Sequence, residues 1–474
     1  MSNPSVDLSA LGSLAGDEEG RGLIKSIRWW DGFVLAIAVP GFLFPTLGSS
    51  VAALGAIGAI IVWLGSAFIA TLQNNIYAEL ATMMPHKSGG IGIYANEGLK
   101  AYAKFIGPLV TWGYWGGWSV VLSINGLLVG GYLQGEWFPN SPDWTPKLIG
   151  TIMLAVLWLF NIFGLRTGVW VSYVLGILTM IPMLIIMFVP FLNGSFHSIN
   201  LHPYSLPGNI GWLSWTGITL MASWFYLAGW SAYGLECVAT FAPEYTDTIK
   251  DTPRALRSSA FFSLIVYGLV PLGLVGVLGQ AGVGANPYTA FAPALKTILG
   301  SGLGTVIVLM VVASLVLSAN TATMDGSRAL YQMSKDRMTL TWLSHLNRRG
   351  IPDVGMTLDL VVQVVLIWTL SNPVSILAAS NLGYILCHIC ALAAFVLLRR
   401  DQPNALRPLR LGNVWIGVAA VLAVLNAVFL LFGARSYGDG PFFVGVALLL
   451  SAYVFYLVRI YIQDPQPAVR AARS

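Results

Sequence analysis

Apolar runs long enough to cross a bilayer recur along this chain, and no other feature constrains its fold as strongly. A helix spanning about 30 Å of hydrocarbon needs about 20 mostly apolar residues. Windows of that kind fall at 31–50, 54–78, 105–133, 147–164, 168–192, 212–243, 258–283, 301–324, 354–371, 374–398, 413–433 and 441–462. Lipid offers no partners to backbone amides and carbonyls, so a spanning segment closes its own hydrogen bonds as a helix or joins a closed barrel. Runs of this length mean helices. The expected fold class is all-α, a polytopic membrane protein of about twelve spans. The charged fraction, 9%, lies far below the roughly 25% of a soluble domain.

Residues 1–30 carry Asp17, Glu18 and Glu19 and lack the apolar core of a signal peptide, so they read as a flexible cytoplasmic tail, with 463–474 as a second. Of the 25 lysines and arginines, 22 fall in alternate loops and tails, and only Lys147, Lys296 and Arg435 in the others. Cytoplasmic loops carry such an excess, which puts both termini in the cytoplasm of a plasma (inner) membrane protein. The formal charge of +5 is therefore a matter of topology, and no nucleic-acid partner is expected. Cys237, Cys387 and Cys390 all lie in predicted spans, where thiols act as small apolar fillers; no disulfide, metal site or cofactor follows. Glycines cluster inside spans, at 113, 116, 117, 126, 130 and 131 and at 300, 302 and 304, as expected where helix backbones approach closely.

Two spans are interrupted at comparable points. In the first, Pro40-Gly41 falls near the middle and Pro45 about one turn later; each proline lacks an N–H and frees the carbonyl four residues before it. In the sixth, Gly229 and Gly234 bracket Trp230–Tyr233. Broken spans in corresponding positions of two halves point to an inverted repeat with a binding site near the midplane, although proline and glycine also make ordinary kinks. Free amides at the outer half of the first span, near Gly41 and Phe42, would favour a carboxylate, and the freed carbonyls an ammonium group. The expected substrate contacts are Val39, Pro40, Gly41 and Phe42 from the first break, with Trp230, Ser231, Ala232, Tyr233 and Gly234 from the second. Trp230 and Tyr233 are either an aromatic lid over the ligand or packed aromatics.

Glu236 is the only charged residue between 212 and 243. Intramembrane carboxylates are expensive and face the bundle interior or a cavity. Glu236 should face inward, either to bind and release a proton, to neutralise a basic group on the substrate, or to bond a neighbouring helix. Trp115 and Asn125 in the third span are further candidates to line the route. Among the five histidines, 86, 197, 202 and 345 fall in loops, and His388 alone lies in a span, as a satisfied polar contact.

Three separated motifs carry a resemblance. YAELATMMPHKSGGIGIYANEG at 77–98, FAPEYTDTIKDTPRAL at 241–256 and NTATMDGSRALYQMSKDRM at 320–338 resemble, in order, the first inner loop, the loop after the sixth helix and the eighth helix of the amino acid–polyamine–organocation (APC) permeases. The resemblance covers at least residues 31–400. It implies a five-plus-five inverted repeat, 31–192 and 212–400, followed by two extra helices in 411–462, with discontinuous helices 1 and 6 and alternating access. WSAYGLE at 230–236 is similar to the stretch of the bacterial arginine/agmatine exchangers in which the tryptophan gates and the glutamate senses protons; by that likeness Trp230 gates and Glu236 senses. The lysine found in the fifth helix of some proton-coupled members corresponds to Pro182. Two departures stand out on the cytoplasmic side: Gly92 replaces a tyrosine, and Arg337 a glycine.

The expected function is secondary active transport of an amino acid or related amine, by exchange or proton-coupled uptake, with the lipid bilayer, the substrate and protons as partners. An enzyme would need convergent nucleophile, base or metal groups, and none converge. A channel, or a transporter-like sensor without turnover, is the alternative. Oligomeric state and use of the N-G-S at 193–195 are open.

Overall fold

The computed structural model describes residues 22–43, 46–285, 287–369 and 372–464. Pro45, most of the expected N-terminal tail and nearly all of the C-terminal tail lie outside the described residues, as do the side chains of Pro40 and Phe42. Among the described residues the fold is all-helical, with one isolated bridge, Ile27 to Tyr245.

In chain order the α-helices are α1 (Trp29–Ala36), α2 (Leu47–Met83), α3 (Gly90–Leu99), α4 (Ile106–Trp137), α5 (Thr145–Ile162), α6 (Leu165–Asn193) and α7 (Trp215–Tyr233). They continue with α8 (Thr248–Ala285), α9 (Phe291–Leu299), α10 (Ser301–Lys335), α11 (Asp353–Thr369), α12 (Pro373–Asp401), α13 (Val414–Gly433) and α14 (Asp439–Val458). Two 3-10 segments, Val39–Leu43 after α1 and Gly234–Glu244 after α7, matter below. α2 and α8 each bend at a glycine of positive φ, Gly55 at 71° and Gly279 at 70°, a conformation that a side chain would oppose.

Nine described helices are long and apolar enough to cross a membrane: α2, α4, α5, α6, α8, α10, α12, α13 and α14, the last extended to Gln463. The three remaining expected ranges hold the two broken segments and α11, which has 17 residues. The apolar window of α4 is 83% buried, against 22% in α5 and α13 and 17% in α14. α4 is thus the axis of the bundle, while the other three turn apolar faces outward, as a lipid-facing helix must.

The glycines explain how α4 reaches the axis. A Cβ on Gly113 would lie 2.8 Å from the Cα of Gly383 on α12, and one on Gly130 2.2 Å from the Pro146 carbonyl oxygen of α5. Gly126 meets Gly150 in the same way, whereas Gly131, Gly300 and Gly302 face open space. Close packing therefore accounts for part of the glycine cluster only. Gly92 lies against Thr111, whose Cα would be 3.0 Å from an added Cβ, so α3 can press on α4 only without the tyrosine expected there.

At the ends of α2 and α12 a buried cluster fastens the bundle. Arg399 Nε and Nη2 donate to the two oxygens of Glu79 at 2.7 and 2.6 Å, and the Leu411 amide adds a third bond at 2.8 Å. Glu79 is the acid of the YAEL motif.

Gly113→Ala should destabilise the protein by about 1–3 kcal/mol through overpacking, seen as a lowered thermal unfolding midpoint in detergent, while Gly302→Ala leaves it unchanged. Arg337 has φ 59°, which is where the related motif carries glycine. Arg337→Gly should stabilise by about 1 kcal/mol by relieving the left-handed strain, read in the same melt.

Candidate substrate site at two helix breaks

Both broken segments pass from α to 3-10 geometry, after Ala36 and after Tyr233. A freed carbonyl at membrane depth costs several kcal/mol if nothing meets it. At the first break Ser318 Oγ of α10 donates to Ala38 O at 2.6 Å, Thr321 Oγ1 to Leu35 O at 3.2 Å, and Tyr267 Oη of α8 reaches Val39 O at 3.1 Å. At the second, the same Tyr267 hydroxyl lies 3.1 Å from Ser231 O and 2.9 Å from Ser231 Oγ. One buried hydroxyl thus joins the two breaks, donating to either carbonyl and accepting from Ser231. Its ring stacks on Trp63 at 5.6 Å, whose Nε1 donates to Ser50 Oγ at 2.9 Å.

Glu236 is fully buried in the 3-10 segment. Its Oε1 accepts from Trp118 Nε1 at 3.0 Å and from Tyr384 Oη at 2.6 Å, while Oε2 has no partner among the described residues. It faces the bundle interior, as its isolation in an apolar run requires. A nearby buried cation, Arg328, is committed elsewhere: it forms a two-point pair with Glu244, Nη2 to Oε1 at 2.8 Å and Nε to Oε2, and lies over the Phe241 ring at 4.9 Å. Behind Glu236, His388 Nδ1 pairs with Tyr77 Oη at 2.8 Å, and the Tyr233 and Tyr384 rings lie 5.0 and 4.7 Å from its imidazole. The satisfied contact expected of His388 is met at Nδ1 only, since Nε2 has no hydrogen-bond partner among the described residues.

Several expectations need correction. The outer half of the first span does not begin at Gly41 and Phe42: helix resumes at Leu47, and the Gly41 amide already donates to Ala38 O at 3.0 Å. Gly41 also presses on α10, with Ser318 Oγ 2.4 Å from the position of an added Cβ. Its amide is therefore not a free anion site. Gly229 does not open the second break, because α7 stays helical through Tyr233 and the change begins at Gly234. Trp230 is buried and its Nε1 donates to Gly117 O on α4 at 2.9 Å, so it is held against the axial helix. Ala232 and Gly234 are also buried.

From α4 the side chain that meets Glu236 is Trp118. Trp115 packs on Trp112 in a tilted pair at 4.4 Å and turns toward α10 and α11, where it meets the Asp359 carboxylate. Asn125 is buried, and neither of its amide atoms has a partner among the described residues. Tyr267, Ser318, Thr321, Trp118 and Tyr384 were missed because common residue types carry no local signal of meeting a break far away in sequence.

The three motifs meet one another in space. Arg328 of the third holds Glu244 of the second. Gln332 Oε1 accepts from the Ser88 amide and hydroxyl of the first at 3.3 and 3.2 Å, and Lys87 Nζ bridges Glu97 at 2.8 Å and Asp336 at 3.0 Å. Burial opposes the Lys87 charge, yet Asp336 and Glu97 hold it above the ordinary lysine range; against the same burial penalty, Lys100 and Lys87 hold Glu97 below the carboxylate range.

A sequence profile of the amino acid permeases matches residues 27–456. The chain belongs to this family, within the APC superfamily. The permease is 26% identical over 339 residues to amino-acid permease RocE of Bacillus subtilis, covering 68% of each chain. It is 23% identical to the lysine-specific permease LysP of Escherichia coli, over 65% of this chain and 64% of that one. With the lysine-specific permease of Lactococcus lactis the match reaches 444 residues at 22% identity, 87% and 85% of the two chains. The family and these relatives are permeases rather than enzymes, and they do not favour the sensor or channel readings.

Tyr267→Phe keeps the ring and its stacking on Trp63 but removes the one hydroxyl donor that the Val39 and Ser231 carbonyls share and the acceptor of the Ser231 hydroxyl. It should cost about 1–3 kcal/mol, measured as a lower unfolding midpoint in detergent, with Tyr453→Phe, a partly exposed tyrosine of α14, as the control.

Proposed function

We propose that the permease is a secondary transporter that carries an amino acid or related amine across the plasma membrane by alternating access. Its spans number about twelve, arranged as inverted repeats over 31–192 and 212–400 with two added helices in 411–462, and both termini are cytoplasmic; the uneven division of lysine and arginine between alternate loops supports that orientation. The observation that carries this reading is the meeting of both helix breaks at one tyrosine hydroxyl. In this reading the substrate contacts are Val39, Pro40, Gly41 and Phe42 from the first break with Trp230, Ser231, Ala232, Tyr233 and Gly234 from the second, and the hydroxyl shared by Val39 and Ser231 supports it.

Carbonyls held by hydroxyl side chains can be handed to an ammonium group without leaving the backbone unsatisfied, because the same hydroxyls remain to close the ladder when the substrate departs. The α-to-3-10 junctions supply the hinges: a few residues absorb the change in backbone angle while the halves on either side move as rigid rods. Trp230 gates from its hydrogen bond to Gly117, and Glu236, whose Oε2 has no partner among the described residues, couples the cycle to protons or exchange. The named substrates of the relatives support an amino acid cargo, with lysine the first to test.

Counterflow in proteoliposomes tests this directly. Vesicles preloaded with one member of a panel of amino acids and amines, lysine, arginine, glycine and 4-aminobutyrate included, should take up the labelled form at a rate that saturates and rises with internal substrate. Glu236→Gln should reduce pH-gradient-driven uptake about tenfold or more. Ligand-induced thermal stabilisation with no flux for any panel member would refute transport.

A further inference from the structure

Two more carboxylates lie inside the bundle, and nothing above uses them. Asp325 on α10 and Asp359 on α11 are both fully buried. Asp325 stands ten residues before the end of α10, and Asp359 six residues after the start of α11. At the rise of a helix they lie about 15 and 9 Å in from the basic loop that joins the two. Glu236 lies deeper. The Glu244–Arg328 pair marks the level one turn on the loop side of Asp325, and Glu236 precedes Glu244 by eight residues of 3-10 segment. The three acids descend in steps from mid-membrane toward the loop.

Hydrogen bonds at each acid, ring packing between two tyrosines and close approach at Gly326 connect the steps. Tyr384 donates to Glu236, its ring lies 6.1 Å from that of Tyr114, and Tyr114 Oη donates to Asp325 Oδ1 at 3.0 Å while also bonding Thr240 Oγ1. Asp359 Oδ1 accepts from Ser119 Oγ, which accepts from Gln363 Nε2 at 2.6 Å. Between the two aspartates stands Gly326, where a Cβ would come within 3.1 Å of Asp359 Oδ2. Asp325 lies within electrostatic reach of both Glu236 and Asp359. The titratable and charged groups facing the three carboxyls are Tyr77 from α2, Tyr114 from α4, Cys237 from the 3-10 segment, Arg328 from α10, and Tyr384 and Cys387 from α12.

Hydrogen-bond accounting points to the ligand. Glu236 Oε2 and Gln363 Oε1 are buried acceptors without a donor among the described residues, and the two aspartates meet only neutral donors, Tyr114 and Thr240 at Asp325, Ser119 and Trp115 at Asp359. Such a surplus of acceptors, with Arg328 already paired, is relieved by whatever brings positive charge and a donor together in little space. That is a proton. We propose that Asp325 and Asp359 form a proton relay between Glu236 and the loop joining α10 to α11. Glu236 gives up its carboxyl proton and becomes the carboxylate; Tyr114 passes its own hydroxyl proton to Asp325 and takes the incoming one; Asp325 then protonates Asp359, which releases the proton to water at the loop. One proton moves and no other bond changes. The relay rests on the proton-coupling role of Glu236 proposed above.

Infrared spectroscopy of the reconstituted protein, titrated without substrate, reads the relay directly. Asp325→Asn and Asp359→Asn should each remove one protonated-carboxyl stretch and shift the titration of the band that Glu236→Gln identifies. With the amino acid that scores in counterflow, pH-gradient-driven proton entry into pyranine-loaded vesicles should fall about tenfold or more in either variant, counterflow at equal pH should persist, and Asp325→Glu and Asp359→Glu should restore coupling. Unchanged carboxyl bands in both asparagine variants overturn the relay. So does loss of proton-driven uptake in Glu236→Gln alone, which would leave the Glu236 reading standing. If Glu236→Gln also retains proton-driven uptake, that reading fails. Bands or flux that depend on sodium rather than choline replace the proton with a metal cation and overturn the proposal.

Discussion

A peptide ladder opened inside a membrane has to be closed by something, and this structure closes it with side-chain hydroxyls. Ser318 and Thr321 take the carbonyls that α1 leaves behind, and Tyr267 serves both breaks at once. The rest of the architecture follows from holding those three groups in place. α10 must pass close to the first break, which is why Gly41 tolerates no side chain there. α8 must bring Tyr267 between the two broken segments, and the Trp63 ring fixes its angle.

The second constraint is charge. Buried acids and buried bases are treated differently in this bundle: Arg328 and Arg399 each meet a carboxylate through two atoms, while Glu236, Asp325 and Asp359 meet only neutral donors. A buried pair that lost one partner would strand a charge in low dielectric at a cost of about 3–5 kcal/mol, so the paired groups fasten helices together. The unpaired acids are suited to the opposite task, since neutral donors leave their protonation free to change. Fastening and switching are thus divided among different residues of the same interior.

The motifs that carried the resemblance owe their spacing to the contacts between them. Lys87 and Ser88, Glu244, and Arg328, Gln332 and Asp336 come from three separate stretches and close on one another at one end of the bundle. Arg337 shows the same logic from the negative side: the backbone keeps the left-handed turn that glycine serves elsewhere, and an arginine bears the strain. Gly92, by contrast, gives up an aromatic ring and gains direct contact between α3 and α4.

Helix after helix was legible from apolar length alone, because hydrocarbon imposes one solution on the backbone whatever the neighbours are. The inward orientation of Glu236 was legible for the same reason, as a charge in an apolar run has one tolerable direction, and the two interruptions could be seen as proline and glycine. Where each break begins and ends was not: Gly41 looked free and is bonded, and Gly229 looked like a hinge and is ordinary helix. Nor could linear pattern choose Trp118 over Trp115, three residues apart on α4, or find Tyr267, because which face of a helix meets a break 118 or 228 residues away depends on packing that no local periodicity encodes. Lipid sets the segments one by one; only their assembly decides which hydroxyl, indole or acid arrives at the gap.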